Sequence, residues 1–90
     1  MTLQGKIERA SAFKRDFRKN GELDAELIEV LYKLLNNEEL PAKYRDHGLI
    51  GDWSGYRECH IKPDLLLIYK KTDVGNLRLA RLGSHSELFD

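Results

Sequence analysis

The chain has 90 residues and a mass of 10.4 kDa, which is enough for one small domain spanning residues 1–90 and too little for two. Its 41% hydrophobic and 33% charged residues exclude a disordered chain and a fibrous repeat. Basic and acidic side chains balance at 15 each, so the net charge alone gives no indication of a polyanionic partner.

The first predicted elements are a short extended segment over residues 6–9 and a helix. Ser11 is the predicted N-cap of that helix, because a serine side chain can accept a hydrogen bond from a free backbone N–H at the helix start. Phe13 and Phe17 are four positions apart and therefore share one helix face. Gly21 is predicted to end the helix.

A second helix is predicted to follow, with Asp24 as its N-cap. Its apolar positions have the i, i+1, i+4, i+7, i+8 spacing of an amphipathic helix. These positions are Leu27, Ile28, Leu31, Leu34 and Leu35. Asn36, Asn37 and Pro41 are expected to end it, since proline disfavours helical geometry in the residue before it.

Three strands are predicted beyond Pro41, near residues 56–61, 65–71 and 77–84. Short connections make neighbouring strands antiparallel, and the middle strand is apolar on both faces and therefore central. We thus predict an α+β fold, with two N-terminal helices packed on one side of a small, mainly antiparallel sheet whose other face carries polar residues. Trp53 and Tyr56 are expected to be packing residues, and residues 86–89 to form one helical turn or a tail.

Charge is unevenly distributed along the first half of the chain. Residues 6–19 contain six basic and two acidic side chains, whereas residues 20–40 contain one basic and six acidic side chains. This asymmetry is consistent with a face that binds a polyanion, and equally with two solvated helix faces. The six basic residues are Lys6, Arg9, Lys14, Arg15, Arg18 and Lys19.

No segment suggests export or membrane insertion. The longest apolar run, residues 65–69, is far shorter than the roughly 20 residues of a membrane helix, and the N-terminus has no apolar stretch behind a basic cluster. The single cysteine, Cys59, cannot form an internal disulfide, which fits a reducing compartment. We expect a cytoplasmic protein with no membrane partner.

All three histidines lie in the second half of the chain, at or near predicted strand ends. Because strand ends cluster in space, His47, His60 and His85 are expected to lie close together, with Asp64 at a hairpin turn beside them. Histidine exchanges protons near neutral pH, so this set is typical of general acid/base catalysis. For any one histidine taken alone, a structural role is the commoner explanation.

Metal binding and nucleophilic catalysis have weaker support. The histidines are 13 and 25 residues apart without a local ligand pair, and Cys59 would point away from its neighbour His60. Neither Ser84 nor Cys59 lies in a recognisable nucleophile motif, and no phosphate-binding glycine loop is present. We therefore predict neither a metal nor a cofactor.

RNA is a substrate that carries its own nucleophile, the 2′-hydroxyl beside the scissile phosphate. Its cleavage needs a base for that hydroxyl, an acid for the departing 5′-oxygen and a cation for the charged intermediate. Arg81 can hold phosphate oxygens, or it can form an ion pair with a neighbouring carboxylate. Phe89 can stack on a base, or it can pack on the sheet.

Four segments of the second half follow a specific order of motifs: D-H-x-L-x-G-x-W at 46–53, Y-R-x-x-H at 56–60, P-D-x-x-L-I-Y at 63–69 and R-x-G-[ST]-H-x-x-L-F at 81–89. In these motifs the chain resembles the YafQ-type toxins of the RelE/ParE superfamily. The resemblance implies the fold predicted above and a toxin of a type II toxin-antitoxin system. It implies a ribosome-dependent mRNA endonuclease that a cognate antitoxin holds inactive.

The resemblance also implies roles for individual residues. His85 is expected to be the general acid, and Phe89 to orient the base or the acid. Either Asp64 or His60 would take the 2′-proton, with His47 polarising or positioning the phosphate. By the same resemblance, Arg81 occupies the position of a phosphate-contacting arginine, and the basic residues of 6–19 would contact ribosomal RNA.

Two other functions stay open at this point. A ParE-like toxin of the same fold would act without catalysis, by binding a protein such as DNA gyrase. Such toxins generally lack the histidine set, which counts against this alternative. The second alternative is a degenerate homologue that only binds its antitoxin and has no activity of its own.

Overall fold

The structure, a computed structural model, describes residues 5–89. Over this range the strands are β1 (Ile7–Arg9), β2 (His47–Gly48), β3 (Arg57–Lys62), β4 (Leu65–Lys71) and β5 (Leu77–Gly83), and the α-helices are α1 (Ser11–Asn20), α2 (Ala25–Leu35) and α3 (His85–Phe89). The strand order is β1-β5-β4-β3-β2, with β1 parallel to β5 and all other neighbours antiparallel. This confirms the predicted α+β class. None of these helices combines the length and apolar character that crossing a membrane requires.

Helix α1 begins at Ser11 itself, so the prediction that Ser11 is the N-cap is wrong. The N-cap is Ala10, which has no side-chain cap. Phe13 and Phe17 share a face as predicted, with ring centroids 6.0 Å apart. The helix ends just before Gly21, also as predicted. Gly21 has an extended backbone, and a Cβ there would lie 2.2 Å from the Phe17 ring, so close packing explains this glycine.

Helix α2 is capped as predicted, because the Asp24 carboxylate accepts a hydrogen bond from the Leu27 N–H at 3.2 Å. The predicted apolar stripe is only partly correct. Leu27 and Leu34 are buried, but Ile28 is 54% exposed and Val30 is fully buried instead. A helix turns once every 3.6 residues, so Val30 lies on the face that Leu27 and Leu34 share, and Ile28 lies on its flank.

The three predicted strands are present as β3, β4 and β5, and the apolar β4 is central. The extended start is confirmed as β1, whereas the two-residue β2 was not predicted, because two residues are too few to show alternation. Two β-bulges interrupt the ladder. The extra residues are Ile61 in β3 and Ala80 in β5. Each bulge shifts by one residue the pairing of the rest of its strand with β4.

The two faces of the sheet are covered differently. Helices α1 and α2 cover the first face, called here the helix-covered face, over a cluster of twelve buried residues. The opposite face, called the open face, has a smaller buried cluster consisting of Leu66, Ile68, Ala80 and Leu88. Trp53 and Tyr56 pack against this cluster, which confirms them as packing residues. The prediction that the second face carries polar residues is therefore incomplete, because an apolar patch lies at its centre.

Candidate active site

Strand register gathers several polar side chains on the open face. His47 pairs with Glu58, Glu58 with Ile68, and Ile68 with Arg81. Residues paired across neighbouring strands project from the same face of a sheet. One row across β2, β3, β4 and β5 therefore contains an imidazole, a carboxylate, an apolar side chain and a guanidinium.

The next row along the sheet contains His60, Leu66 and Gly83. His85 follows Gly83 by two residues and begins α3. Since β3 and β5 are separated by two strand spacings, about 10 Å, His60 and the start of α3 lie on either side of Leu66. His60 lies two residues before the end of β3, near a strand end as predicted, and the register of the strands brings it into this row.

Glu58 lies between two of the histidines. Its Oε1 is 3.5 Å from His47 Nε2 and 3.4 Å from His60 Nε2, and the residue is only 4% exposed. A buried carboxylate requires polar or charged partners, and the two imidazoles provide them. Glu58 is not among the predicted site residues, although the E-x-H spacing places Glu58 and His60 on one face of a strand and was the available signal.

The other ring nitrogen of His47 has a defined partner. Its Nδ1 lies 2.9 Å from the carbonyl oxygen of Arg45, a residue whose backbone is left-handed with φ of 51°. A carbonyl oxygen only accepts hydrogen bonds, so Nδ1 carries a proton. His47 Nε2 faces the Glu58 carboxylate, 3.5 Å from Oε1.

Arg81 forms an ion pair with Asp16 of α1, which is the second of the two roles left open for it. Arg81 Nε is 2.6 Å and Nη2 is 3.3 Å from the carboxylate oxygens of Asp16. These hydrogen bonds raise the pKa of Arg81, so the guanidinium stays charged. Two of its five N–H groups are used in this contact, which leaves the others for a ligand.

Helix α3 is fixed to the rest of the fold through Glu87. The Glu87 carboxylate accepts a hydrogen bond from the Ser84 N–H at 2.9 Å and lies 3.0 Å from Lys19 Nζ. These two contacts lower the pKa of Glu87 to about 2. The rings of His85 and Phe89 are 5.0 Å apart, and Phe89 also packs against the open-face cluster. Residues 86–89 are thus helical, and Phe89 makes the sheet contact that had been its alternative role.

Asp64 lies in the turn between β3 and β4 and is exposed. It lines a surface cavity of about 500 Å³ together with Ser84 and Glu87. The carboxylate is therefore placed beside the start of α3, whereas Glu58 is the carboxylate that contacts His60.

The six basic residues of the N-terminal segment are all exposed. Lys19 forms an ion pair with Glu87. Arg9, Lys14 and Arg18 line a surface groove between β1, α1 and α2. The sign asymmetry in the sequence thus corresponds to a basic surface on the side of α1.

Two other chemistries can be assessed from the described residues. Cys59 is fully buried on the helix-covered face, and burial raises the pKa of its thiol, so it is not placed to act as a nucleophile. Within residues 5–89, no group of three or more histidine, cysteine, aspartate or glutamate side chains is arranged to hold a metal ion.

The sequence is similar to that of known bacterial toxins over nearly its whole length. The family model described as a bacterial toxin of type II toxin-antitoxin system, YafQ, matches residues 5–90. The mRNA interferase toxin YafQ of Escherichia coli K12 is 41% identical over 91 aligned residues, which cover 97% of this chain and 98% of that protein.

Solved structures of related toxins have the same fold as this chain. The toxin chain of the Escherichia coli DinJ-YafQ complex superposes with a TM-score of 0.80 at 41% identity, over 97% of this chain and all of that one. A copper-bound mutant toxin from Helicobacter pylori superposes with a TM-score of 0.88 at 46% identity, over 96% of this chain and all of that one.

Proposed function

The chain belongs to the YafQ family of bacterial toxins of type II toxin-antitoxin systems, and on this premise we propose that it is an mRNA interferase. Its substrate is mRNA on the translating ribosome, so it acts in the cytoplasm. The observation that carries the proposal is the pair of rows on the open face, in which His60 and Gly83 flank Leu66 on strands two spacings, about 10 Å, apart, and Gly83 leads into His85 two residues later.

We assign the general base to His60. His60 Nε2 lies 3.4 Å from Glu58 Oε1, so an imidazole whose proton is on Nε2 toward Glu58 would present an unprotonated Nδ1 that can accept the 2′-hydroxyl proton. Glu58 would then stabilise the imidazolium that forms, as the third group of a base-orienting set. Asp64 is assigned to substrate binding, because it lines a surface cavity together with Ser84, next to the start of α3.

We assign the general acid to His85. In an in-line displacement the attacking and departing oxygens lie on opposite sides of phosphorus, so a base and an acid must approach the phosphate from opposite directions. The assignment is supported by Gly83, which lies across Leu66 from His60 and is followed two residues later by His85. Phe89, with its ring 5.0 Å from that of His85, orients the acid or stacks on the adjacent base.

Arg81 and His47 are assigned to the phosphate charge. Both lie in the row next to His60, and a guanidinium and an imidazole N–H placed before the reaction stabilise the developing negative charge without reorganising. Because the substrate supplies the nucleophile, the reaction needs no metal-bound water, and we propose that it is metal-independent. The exposed basic side chains of residues 6–19 are assigned to ribosomal RNA contacts.

The test is cleavage of a translated message by the purified protein in a reconstituted translation system. The wild-type protein should leave a 2′,3′-cyclic phosphate at the mapped ends, and a 2′-deoxy substitution at that position should abolish the cut. His85→Ala should lower the cleavage rate by about 10²- to 10⁴-fold, the usual contribution of an acid/base group.

The matched control is Val74→Ala, in the exposed turn between β4 and β5, which should cleave like the wild type. Wild-type cleavage by His85→Ala would overturn the assignment of the acid. Inhibition of gyrase supercoiling without RNA cleavage would overturn the enzymatic function and favour the ParE-like alternative.

We further propose that the cognate antitoxin docks in the groove between β1, α1 and α2. The groove has a volume of about 440 Å³. Its floor is apolar and its basic lining residues are Arg9, Lys14 and Arg18. An acidic, amphipathic segment that folds on binding matches both properties. The DinJ-YafQ complexes support an antitoxin partner for members of this family.

The docking proposal is tested at Leu23, which lines the groove and is 71% exposed. Leu23→Asp should weaken antitoxin binding by about tenfold or more in calorimetry, because it removes apolar contact and repels an acidic segment. Val74→Asp places the same charge on an equally exposed site away from the groove and should bind like the wild type. Equal affinities for the two variants would contradict the assignment of the groove.

A further inference from the structure

The edge of the sheet next to Arg81 is completed by a helix. Strand β1 pairs with β5 only as far as Leu79, whose carbonyl oxygen accepts the Ala10 N–H at 3.0 Å where β1 ends. Beyond that point, the Leu82 N–H donates to Asp16 Oδ2 at 3.0 Å, and the Leu82 carbonyl oxygen accepts from Asn20 Nδ2 at 3.3 Å. Side chains of α1 thus take the place of a neighbouring strand.

The two α1 residues stand one helical turn apart, at i and i+4, so their side chains lie on the same face of the helix. Together they satisfy both backbone polar groups of Leu82. The segment they hold joins Arg81 to Gly83 and then to His85. The helix with the basic surface is therefore connected directly to the strand end that bears the proposed phosphate ligand and acid.

The same Asp16 carboxylate fixes the Arg81 side chain. It accepts hydrogen bonds from Arg81 Nε at 2.6 Å and Nη2 at 3.3 Å in addition to the Leu82 N–H. The carboxylate is 11% exposed, and the Arg81 side chain is 25% exposed. A free arginine side chain has many rotamers. The two hydrogen bonds to the nearly buried Asp16 carboxylate hold the planar guanidinium of Arg81 in one of them.

A second ion pair on β5 makes a useful contrast. Arg78 Nε lies 3.1 Å from Glu8 Oε1, but the side chains are 42% and 36% exposed. Solvated pairs of this kind contribute little to stability or to geometry. The Asp16 pair differs in that the carboxylate is withdrawn from water and shared with the backbone.

We propose that Asp16 is a positioning residue for RNA cleavage: through its contact with Arg81 it directs the remaining N–H groups of the guanidinium toward the scissile phosphate. This inference rests on the proposed function, because it assigns Asp16 to the same site. Asp16 itself does not touch the substrate. Its effect on the reaction passes through Arg81, whereas its contact with Leu82, shared with Asn20, serves the sheet edge.

The test compares single-turnover cleavage by Asp16→Asn, Arg81→Ala and the double variant, at saturating programmed ribosomes. Asp16→Asn should lower the rate by about 10- to 100-fold, the usual effect of removing a partner that orients a functional group. Its affinity for programmed ribosomes should stay within about twofold of the wild type, because ribosome contacts lie on α1's exposed side chains. In the Arg81→Ala background, Asp16→Asn should cause less than about a threefold further loss.

Two controls separate positioning from structural damage. Asn20→Ala removes the other half of the sheet-edge contact and the 3.4 Å hydrogen bond from Asn20 Nδ2 to Glu87, but it leaves the ion pair. Because Glu87 keeps its contacts with Ser84 and Lys19, this variant should cost less than about threefold in rate. Glu8→Gln breaks the exposed ion pair with Arg78 and should cleave like the wild type. Thermal unfolding of every variant shows whether the fold is retained.

Equal losses from Asp16→Asn in the wild-type and Arg81→Ala backgrounds would overturn the positioning role and leave a structural one. In that case His85→Ala would still lower the cleavage rate by about 10²- to 10⁴-fold, so the proposed function would stand. A wild-type protein that cleaves no message would instead overturn the proposed function, and this inference with it.

Discussion

The two faces of the β-sheet differ in what their side chains do. The helix-covered face contributes seven strand residues to the twelve-residue cluster that it forms with α1 and α2. Three of them, Cys59, Leu67 and Tyr69, alternate with the open-face residues along the same strands. The open face buries only four residues, Leu66 and Ile68 among them, and polar side chains surround them.

This difference shows how a chain of 90 residues can hold both a core and a site. One face supplies most of the apolar burial that offsets the entropy of folding. The other face can then place Glu58 and Arg81 beside a small apolar floor, where charges interact more strongly than in open water. The open face thus tolerates partly desolvated polar groups because the helix-covered face stabilises the sheet that carries them.

The largest expected effect is a loss of stability, caused by truncating a buried side chain on the helix-covered face. Leu67 is fully buried there, and Leu67→Ala should lower the free energy of unfolding by about 2 to 5 kcal/mol through lost burial and a residual cavity. Because the side chain points away from the site, cleavage per folded molecule should match the wild type. Urea unfolding and single-turnover cleavage of the folded fraction measure the two quantities.

The adjacent residue on the same strand supplies the matched variant. Leu66 is equally buried but faces the site, between His60 and Gly83. Leu66→Ala should also destabilise the fold, but it should lower cleavage by the folded fraction as well. If the two variants changed cleavage equally, the two faces would not be functionally separate.

Local patterns were sufficient to predict the elements that depend on local periodicity. The apolar run of β4 identified the central strand, and Asp24 marked the start of α2 because a cap acts within three residues. The prediction that Ile28 belongs to the buried stripe of α2 was wrong, because the i, i+1 spacing includes a residue on the flank of that stripe. Whether a flanking residue is buried depends on which other elements pack against it.

The site could be predicted only in its residue types. Strict alternation from Leu79 would place Arg81 under the helices, but the bulge at Ala80 returns Arg81 to the open face and Leu82 to the core. A bulge has no reliable signal in one sequence. Partners such as Asp16 lie 65 positions away from the residues they hold, so spacing along the chain does not indicate them.

The last comparison neutralises one carboxylate on each side of the sheet. On the helix-covered side, Glu29 of α2 accepts a hydrogen bond from Tyr44, and Glu29→Gln keeps an oxygen that can accept it. This variant should change the free energy of unfolding by about 1 kcal/mol or less and leave cleavage unchanged.

Glu58→Gln makes the same chemical change on the open face, with an equally modest effect on stability but a different effect on function. It removes the negative charge that lies within 3.5 Å of both His47 and His60, so the imidazolium formed during proton transfer loses its partner. Cleavage should fall by about 10- to 100-fold, and Glu58→Asp, which restores the charge on a shorter side chain, should recover part of it. Equal cleavage by Glu58→Gln and Glu29→Gln would mean that Glu58 serves the fold alone, and the base would then have to be sought at Asp64.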